Sequence, residues 1–165
     1  MLHALALALA IPTYGPIPVS PAPPPAYLRV PTAADEALIL DSGSTNRAGY
    51  RLRVKADGWA SLQQGDAPLK KRLPAALVAR FFEDLKAAGP LDRLPAAHCM
   101  KSVSFGSSTE VGYRGKLSPD LSCPSPSSAA RALAIDAAAL AQAAGTSMLL
   151  RPLKPMPSGV PVEMP

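Results

Sequence analysis

The segment from residue 50 to residue 55 constrains the fold more than any other part of this chain, because its side chains alternate strictly between apolar and basic. Such alternation predicts a β-strand with one buried face and one face in water. Asp57-Gly58 follows closely and is typical of a type I′ turn, in which both central residues need a positive φ. Residues 59–62 supply a returning strand, so the sequence predicts a β-hairpin. The two sets of side chains are Tyr50, Leu52 and Val54 on the buried face and Arg51, Arg53 and Lys55 on the other.

Two helices are predicted further along the chain. Pro74 suits a first helical turn, where a missing N–H costs nothing, and Gly89-Pro90 ends the apolar repeat that follows it. The wide apolar stripe of this helix indicates that it lies against a sheet. The second helix begins near Ser125-Pro126-Ser127 and ends at Gly145, which can adopt the left-handed conformation of a C-terminal cap.

Further strands complete the pattern. Residues 37–40 predict a first strand that ends at Asp41-Ser42-Gly43, and residues 103–113 predict a second hairpin across Gly106-Ser107-Ser108. The order of strand, hairpin, helix, hairpin and helix predicts an α+β fold: a two-layer sandwich in which an antiparallel sheet of about five strands carries two helices on one face. The residues expected to be largely buried are Leu52, Val54, Trp59, Phe81, Phe82, Val103, Phe105 and Leu133.

Proline separates the foldable part of the chain from its ends. Eight of the 20 prolines lie in residues 11–31 and five in residues 151–165, where a residue without an N–H favours extended tether over helix or sheet. The sequence therefore predicts a signal peptide over 1–10, a proline-rich linker over 11–34, a single α+β domain over 35–150 and a proline-rich tail over 151–165.

The first residues favour export. Their apolar run is too short to span a bilayer, and Ala8-Leu9-Ala10 resembles a signal-peptidase site. No Lys or Arg precedes the run, which a start codon assigned too late would explain; the alternative is a segment that is not a signal. We expect a secreted or periplasmic protein without a transmembrane segment.

Cys99 and Cys123 are the two cysteines of the chain. In an exported protein this even count predicts a disulfide, with two unrelated thiols as the alternative. The bond would close a loop of about 25 residues and stabilise the fold by about 3.5 kcal/mol. His98 is the one histidine in the predicted domain, so neither a metal site nor a cofactor is expected.

Candidate catalytic patterns are weak. Apolar residues followed by Asp41-Ser42-Gly43 are typical of aspartic proteases, but no flap or bracing segment follows, so a degenerate aspartic protease using Asp41 ranks only third among the hypotheses. A Ser-His-Asp triad would depend on His98, and no phosphate-binding loop is present. We expect no catalytic residue, and we expect Asp41→Asn to change stability little unless the carboxylate caps its own turn.

A binding role is the leading interpretation. The segment closed by the predicted disulfide places Lys101 and Ser102 beside Cys99, and Arg114 and Lys116 beside glycines, so these four are possible partner-binding residues. The alternative for this surface is a stapled hairpin that faces water. A second hypothesis is a protease inhibitor with Lys101 as the bait residue. The alternative is that Lys101 has no such role and only precedes a strand.

Charge narrows the choice of partner. The net charge is +5, and the densest basic run, Lys70-Lys71-Arg72, is interpreted as a solvated cluster. With only eight aromatic residues in the whole chain, nucleic acid is not expected. The expected partner is an unknown protein or an envelope component, held by an extracytoplasmic binding or structural domain that is not an enzyme.

The pattern 49–54, then Asp57-Gly58-Trp59 and Gly65, then a helix that ends near Leu91-Asp92, resembles a family of uncharacterised exported bacterial domains. The resemblance spans about 37–145 and implies export and a hairpin-helix-hairpin-helix fold, but no activity. Many members carry a cysteine pair just before the tyrosine strand. This chain has no cysteine over 44–48, so any role of that pair is lost or moved.

Overall fold

The computed structural model describes residues 29–65, 67–102 and 104–146. The predicted signal peptide, most of the linker, the proline-rich tail and Val103 lie outside the described residues. The strands are β1 (Glu36–Gly43), β2 (Ala48–Lys55), β3 (Trp59–Gln63), β4 (Leu69–Arg72), β5 (Thr109–Tyr113) and β6 (Lys116–Leu117). The helices are α1 (Ala75–Ala88) and α2 (Ser128–Ala144), with a single 3-10 turn at Leu91–Arg93.

The six strands form one antiparallel sheet in the order β4-β3-β2-β1-β5-β6. The α+β prediction is confirmed, with six strands where about five were expected. Strands β4 and β6 were not predicted, and residues 104 and 105, expected in a strand, form a turn. From the sequence, β4 was interpreted as a solvated basic cluster. All four of its residues are exposed, so the basic side chains are solvated as expected. Its backbone pairs with β3 and forms one edge of the sheet.

Both helices pack on the same face of the sheet. The inward side chains of β2, Leu52 and Val54, are fully buried against a core that includes Phe81 on α1 and Leu133 on α2. Arg51 and Arg53 on the same strand face away from the helices. The alternation seen in the sequence is therefore the alternation of the two sheet faces. Neither helix of residues 29–146 is long and apolar enough to cross a membrane.

One ion pair joins the two helices. Asp136 on α2 is almost completely buried and accepts a hydrogen bond of 2.8 Å from Nε of Arg80 on α1. The Arg80 side chain is about half exposed. A guanidinium can reach a buried carboxylate while most of its own surface stays in water, which lowers the cost of burying the negative charge.

The caps of α2 and the position of the first hairpin are as predicted, but its turn is not type I′, because only Gly58, and not Asp57, has a positive φ. Gly58 has a φ of 92° in the β2–β3 turn, and the Asp57 carboxylate accepts from the Trp59 N–H at 3.0 Å. The Ser127 side chain accepts from the Ala130 N–H at the start of α2, and Gly145 ends that helix in the left-handed conformation.

Two strand predictions were wrong. Strand β1 continues through Asp41-Ser42-Gly43. Asp41 pairs with both β2 and β5, Gly43 pairs with β2, and the Ser42 N–H donates to the backbone just before β5. The second hairpin turns at Arg114-Gly115 rather than at 106–108, since β5 pairs with β6. Arg114 and Gly115 have φ of 48° and 73°, so this turn has the positive φ at both central residues that a type I′ turn requires.

Two aromatic residues expected in the core are exposed. Trp59 is 48 % exposed, because Ala60 and Leu62 occupy the inward positions of β3 and the register leaves Trp59 on the opposite face. Phe105 is 71 % exposed, because its segment is an irregular loop and not a strand.

The described residues that precede β1 cover part of the face opposite the helices. The carbonyl of Arg29 accepts from Arg53 at 2.8 Å, and the carbonyl of Pro31 accepts from the Gly115 N–H at 2.7 Å. Between them, Val30 packs so closely on Gly112 that a Cβ at Gly112 would lie 2.9 Å from a Val30 methyl carbon. This segment lies over the β5 side of that face, and we call the remainder, on β2, β3 and β4, the open face.

We predict that Phe81→Ala lowers the free energy of unfolding by about 3–5 kcal/mol, because Phe81 is fully buried between the helices and the sheet. Chemical denaturation measures the loss. The control is Ile135→Ala, which truncates an exposed residue of α2 and should change stability by no more than about 0.5 kcal/mol. Equal losses in the two variants would show that the core is wrongly placed.

Candidate functional site

The predicted disulfide is confirmed. Cys99 is bonded to Cys123, with their Cα atoms 5.6 Å apart. Cys123 is buried and lies just before α2, whereas Cys99 lies in the irregular segment between the 3-10 turn and β5. The bond therefore ties a long loop to the folded core.

Lys101 is held against the same core two residues later. Its ammonium donates to the carbonyl of Ser107 at 2.8 Å and to Oγ of Ser122 at 2.6 Å, and it forms an ion pair with Asp120. The Lys101 side chain is consequently only about a quarter exposed. A bait residue must offer its side chain to an enzyme, so this anchoring counts against the hypothesis that Lys101 is the bait.

Asp120 is the centre of this anchoring. Its Oδ1 accepts from the backbone N–H groups of Thr109 at 3.0 Å and Ser122 at 2.9 Å. Burial opposes ionisation of the carboxyl, but the hydrogen bonds from Lys101, Ser122 and Thr109 outweigh it and lower the pKa of Asp120 to about 2.

Asp41 is also committed to a structural contact. The carboxylate is buried, and Nη2 of Arg47 lies 2.7 Å and 2.8 Å from its two oxygens. Oδ1 also accepts from the Gly43 N–H at 2.8 Å, so Asp41 does cap its own turn. Burial first, and the negative charge of Asp41 second, raise the pKa of the neighbouring Tyr50 to about 12.

Among the described residues, no second carboxyl is hydrogen-bonded to Asp41. Thr109 contacts both Asp41, through its hydroxyl at 3.4 Å, and Asp120, through its N–H. A catalytic dyad must share one proton between two carboxyls. Here each carboxylate pairs with a cation of its own, Arg47 or Lys101, and not with the other carboxylate.

The four predicted binding residues do not form one surface. Lys101 and Ser102 lie near Thr109, the first residue of β5. The Ser102 carbonyl accepts from the Gly106 N–H at 2.6 Å. Arg114 and Lys116 follow the other end of β5, about 13 Å away. There the Arg114 guanidinium lies 5.3 Å from the Tyr113 ring centroid, and Lys116 pairs with Asp92 at 2.9 Å.

The open face carries a different concentration of charge. Two cross-strand rows run over it. One contains Lys55, Trp59 and Arg72, and the other contains Arg53, Ser61 and Lys70. With Arg51, five basic side chains lie on the open face, while the acidic side chains Glu36 on β1 and Glu110 on β5 lie on the same side of the sheet but outside the open face.

Trp59 is the aromatic residue of this surface. The Arg72 guanidinium lies 5.9 Å from the centroid of its ring. Beside the indole is a shallow depression of about 420 Å³. Its lining includes Arg53, Lys55, Asp57, Trp59, Ser61 and Lys70.

The charges around this depression differ in how they are paired. Arg53 forms an ion pair of 3.0 Å with Glu36 and also holds the Arg29 carbonyl. Lys55 and Lys70 form no ion pair or hydrogen bond through their side chains within the described part of the chain. These two ammonium groups are therefore the cations most available to a ligand beside Trp59.

Sequence reasoning missed this surface. The alternating cations of β2 were recognised, but β4 was not, so Lys70 and Arg72 were not placed beside them. A signal was present in the basic run 70–72, which alternates Lys70 and Arg72 onto one face of a strand. The described residues contain no group of three or more side chains suited to hold a metal ion.

Comparisons of the chain with models of known protein families, with curated proteins and with solved structures give no match. The resemblance to exported bacterial domains stays a prediction, and the functional inference depends on the geometry alone.

We predict that Asp41→Asn lowers the free energy of unfolding by about 1–3 kcal/mol, because a neutral amide leaves the Arg47 charge without its buried partner. Thermal or chemical denaturation measures this. Glu83→Gln removes an exposed carboxylate of α1 and serves as the control, with a change of no more than about 0.5 kcal/mol. An Asp41→Asn protein as stable as the parent would refute the structural role.

We also predict that Asp120 makes stability depend on pH in the acid range. Its folded pKa of about 2 lies below the ordinary value near 4. The stabilisation is therefore complete above about pH 4 and is lost as the pH falls towards about 2. The stability difference between the parent and Asp120→Asn should shrink over that interval, while the difference from Glu83→Gln stays small throughout. A parent–Asp120→Asn difference independent of pH would contradict the assignment.

Proposed function

We propose that this protein is an exported, non-catalytic binding domain that holds an anionic glycan on the open face of its sheet. The observation that carries the proposal is the half-exposed Trp59 between Lys55 and Arg72, with Lys70 in the adjoining row. Tryptophan and arginine are enriched among the residues that anchor binding surfaces, and about half of the Trp59 side chain is open to a ligand.

The chemistry of this surface matches a charged sugar polymer. One face of a pyranose ring presents C–H groups, which pack well on an indole ring. Carboxylate, sulfate or phosphate substituents on the sugar would then pair with Lys55 and Lys70, which stand on either side of β3. Adjacent strands are about 4.8 Å apart, so β2 and β4, which carry these two charges, lie about 10 Å apart, and one polymer that carries several anionic groups can reach both.

The compartment favours a glycan over nucleic acid. The disulfide is the kind of bond that persists in oxidising compartments, and the predicted signal peptide and proline-rich linker would place the domain outside the cytoplasm on a tether. Anionic polymers met there are chiefly polysaccharides of the envelope. The sequence predicts an unknown protein or an envelope component as the partner, and the proposal specifies an anionic polysaccharide of the envelope.

The experiment compares full-length protein binding to polygalacturonate, a polyanionic glycan, and to dextran, a neutral one. We predict binding to polygalacturonate alone, weakening as salt rises from about 0.02 M to about 0.3 M because exposed charges are screened. Trp59→Ala and the double variant Lys55→Ala/Lys70→Ala should each weaken binding about tenfold or more, the change expected of a residue at the centre of an interface. Isothermal titration calorimetry measures the affinities.

Lys86→Ala is the matched control, because it removes one exposed ammonium from α1 on the other side of the molecule. It should change the affinity less than about twofold. Equal binding to dextran, unchanged affinity in the Trp59 and lysine variants, or tighter binding to a single-stranded oligonucleotide of matched charge would each contradict the proposal.

A further inference from the structure

Met100 stands apart from its neighbours in the disulfide-tied loop. Its side chain is completely exposed, although unbranched apolar side chains are normally buried. The residue before it, Cys99, forms the disulfide with Cys123. The residue after it, Lys101, donates hydrogen bonds to Ser107 and Ser122 and forms an ion pair with Asp120. An exposed side chain thus lies between two residues that are fixed to the core.

The backbone after Met100 is fixed as well. The Ser102 carbonyl accepts from the Gly106 N–H at 2.6 Å, so the backbone of Gly106 returns close to Lys101 and Ser102. A Cβ at Gly106 would lie 2.5 Å from Cβ of Lys101, so this return is possible only with glycine at that position. A loop held at 99, 101 and 102 loses little further entropy when a partner binds it.

We propose that this loop is the reactive loop of a serine-protease inhibitor, with Met100 as the residue that enters the primary specificity pocket. A protease with an apolar pocket, such as chymotrypsin, accepts an unbranched apolar side chain, whereas the acidic pocket of trypsin requires a cation. The occupant is therefore a serine protease of chymotrypsin-like specificity. This activity is separate from glycan binding, because it uses none of the side chains of the open face.

The position of the disulfide explains why cleavage would not release the enzyme. The serine hydroxyl of the protease adds to the Met100 carbonyl carbon, the bond to the Lys101 nitrogen breaks, and the new amine leaves with the hydroxyl proton. Cys99 and Cys123 lie on opposite sides of that bond, so the two pieces stay joined. The amine can then attack the ester, re-form the peptide bond and return the proton to the serine.

Inhibition assays with the full-length protein test the proposal. We expect a chymotrypsin inhibition constant below about 1 µM and trypsin inhibition at least about a hundredfold weaker. Met100→Lys should reverse this preference, and Met100→Leu should preserve it. After long incubation, mass spectrometry should show one cut, between Met100 and Lys101, with fragments 1–100 and 101–165 separating only after reduction.

Trp59→Ala, which removes the aromatic of the open face, is the matched control and should inhibit chymotrypsin as the parent does. Three results would overturn the inference: no inhibition of chymotrypsin by the parent, unchanged specificity in Met100→Lys, or cleavage at Lys101-Ser102 by trypsin in place of the cut after Met100. Because the assay is read with no glycan present, its failure would leave the proposed glycan binding standing.

Discussion

The placement of both helices on one face of the antiparallel sheet is the constraint on which the rest of the structure depends. It divides the central strands into an inward set of side chains that is mostly apolar and an outward set that is free to carry charge where no other segment covers it. On β2 the division is complete: Leu52 and Val54 are fully buried, while Arg51, Arg53 and Lys55 point away from the helices. The open face is therefore a direct product of the way the core is built.

Local signals were enough to predict much of this fold. The Asp57-Gly58 turn, the proline at the start of α1 and the glycine after α2 each act through the conformation of one or two residues, so they can be recognised in the sequence. What was missed depends on distant partners. Strand β4 exists because it pairs with β3, and the alternation over 70–72 is too short to predict a strand by itself. Trp59 faces outward because Ala60 and Leu62 face the core.

The disulfide-tied segment shows the same limit. The sequence predicted the Cys99–Cys123 bond from cysteine number and export, but it predicted a strand where the chain forms an irregular loop. That loop is held by Asp120, which accepts from Lys101 and from the Thr109 N–H across a long stretch of sequence. Side-chain capping of this kind has no local pattern, so the anchored Lys101 and the exposed Met100 became distinguishable only in the folded structure.

The central claim is that the surface around Trp59 is where this domain meets its ligand, and an NMR titration of the full-length, ¹⁵N-labelled protein with an oligogalacturonate tests it most directly. The account predicts that the resonances of the Trp59 indole N–H and of the Lys55 and Lys70 backbone amides shift progressively and saturate at the same ligand concentration. The amide resonances of α1 and α2 should not shift. A titration in which the Trp59 indole does not move, or in which the shifts are confined to the loop around Met100 or the turn at Arg114, would contradict it.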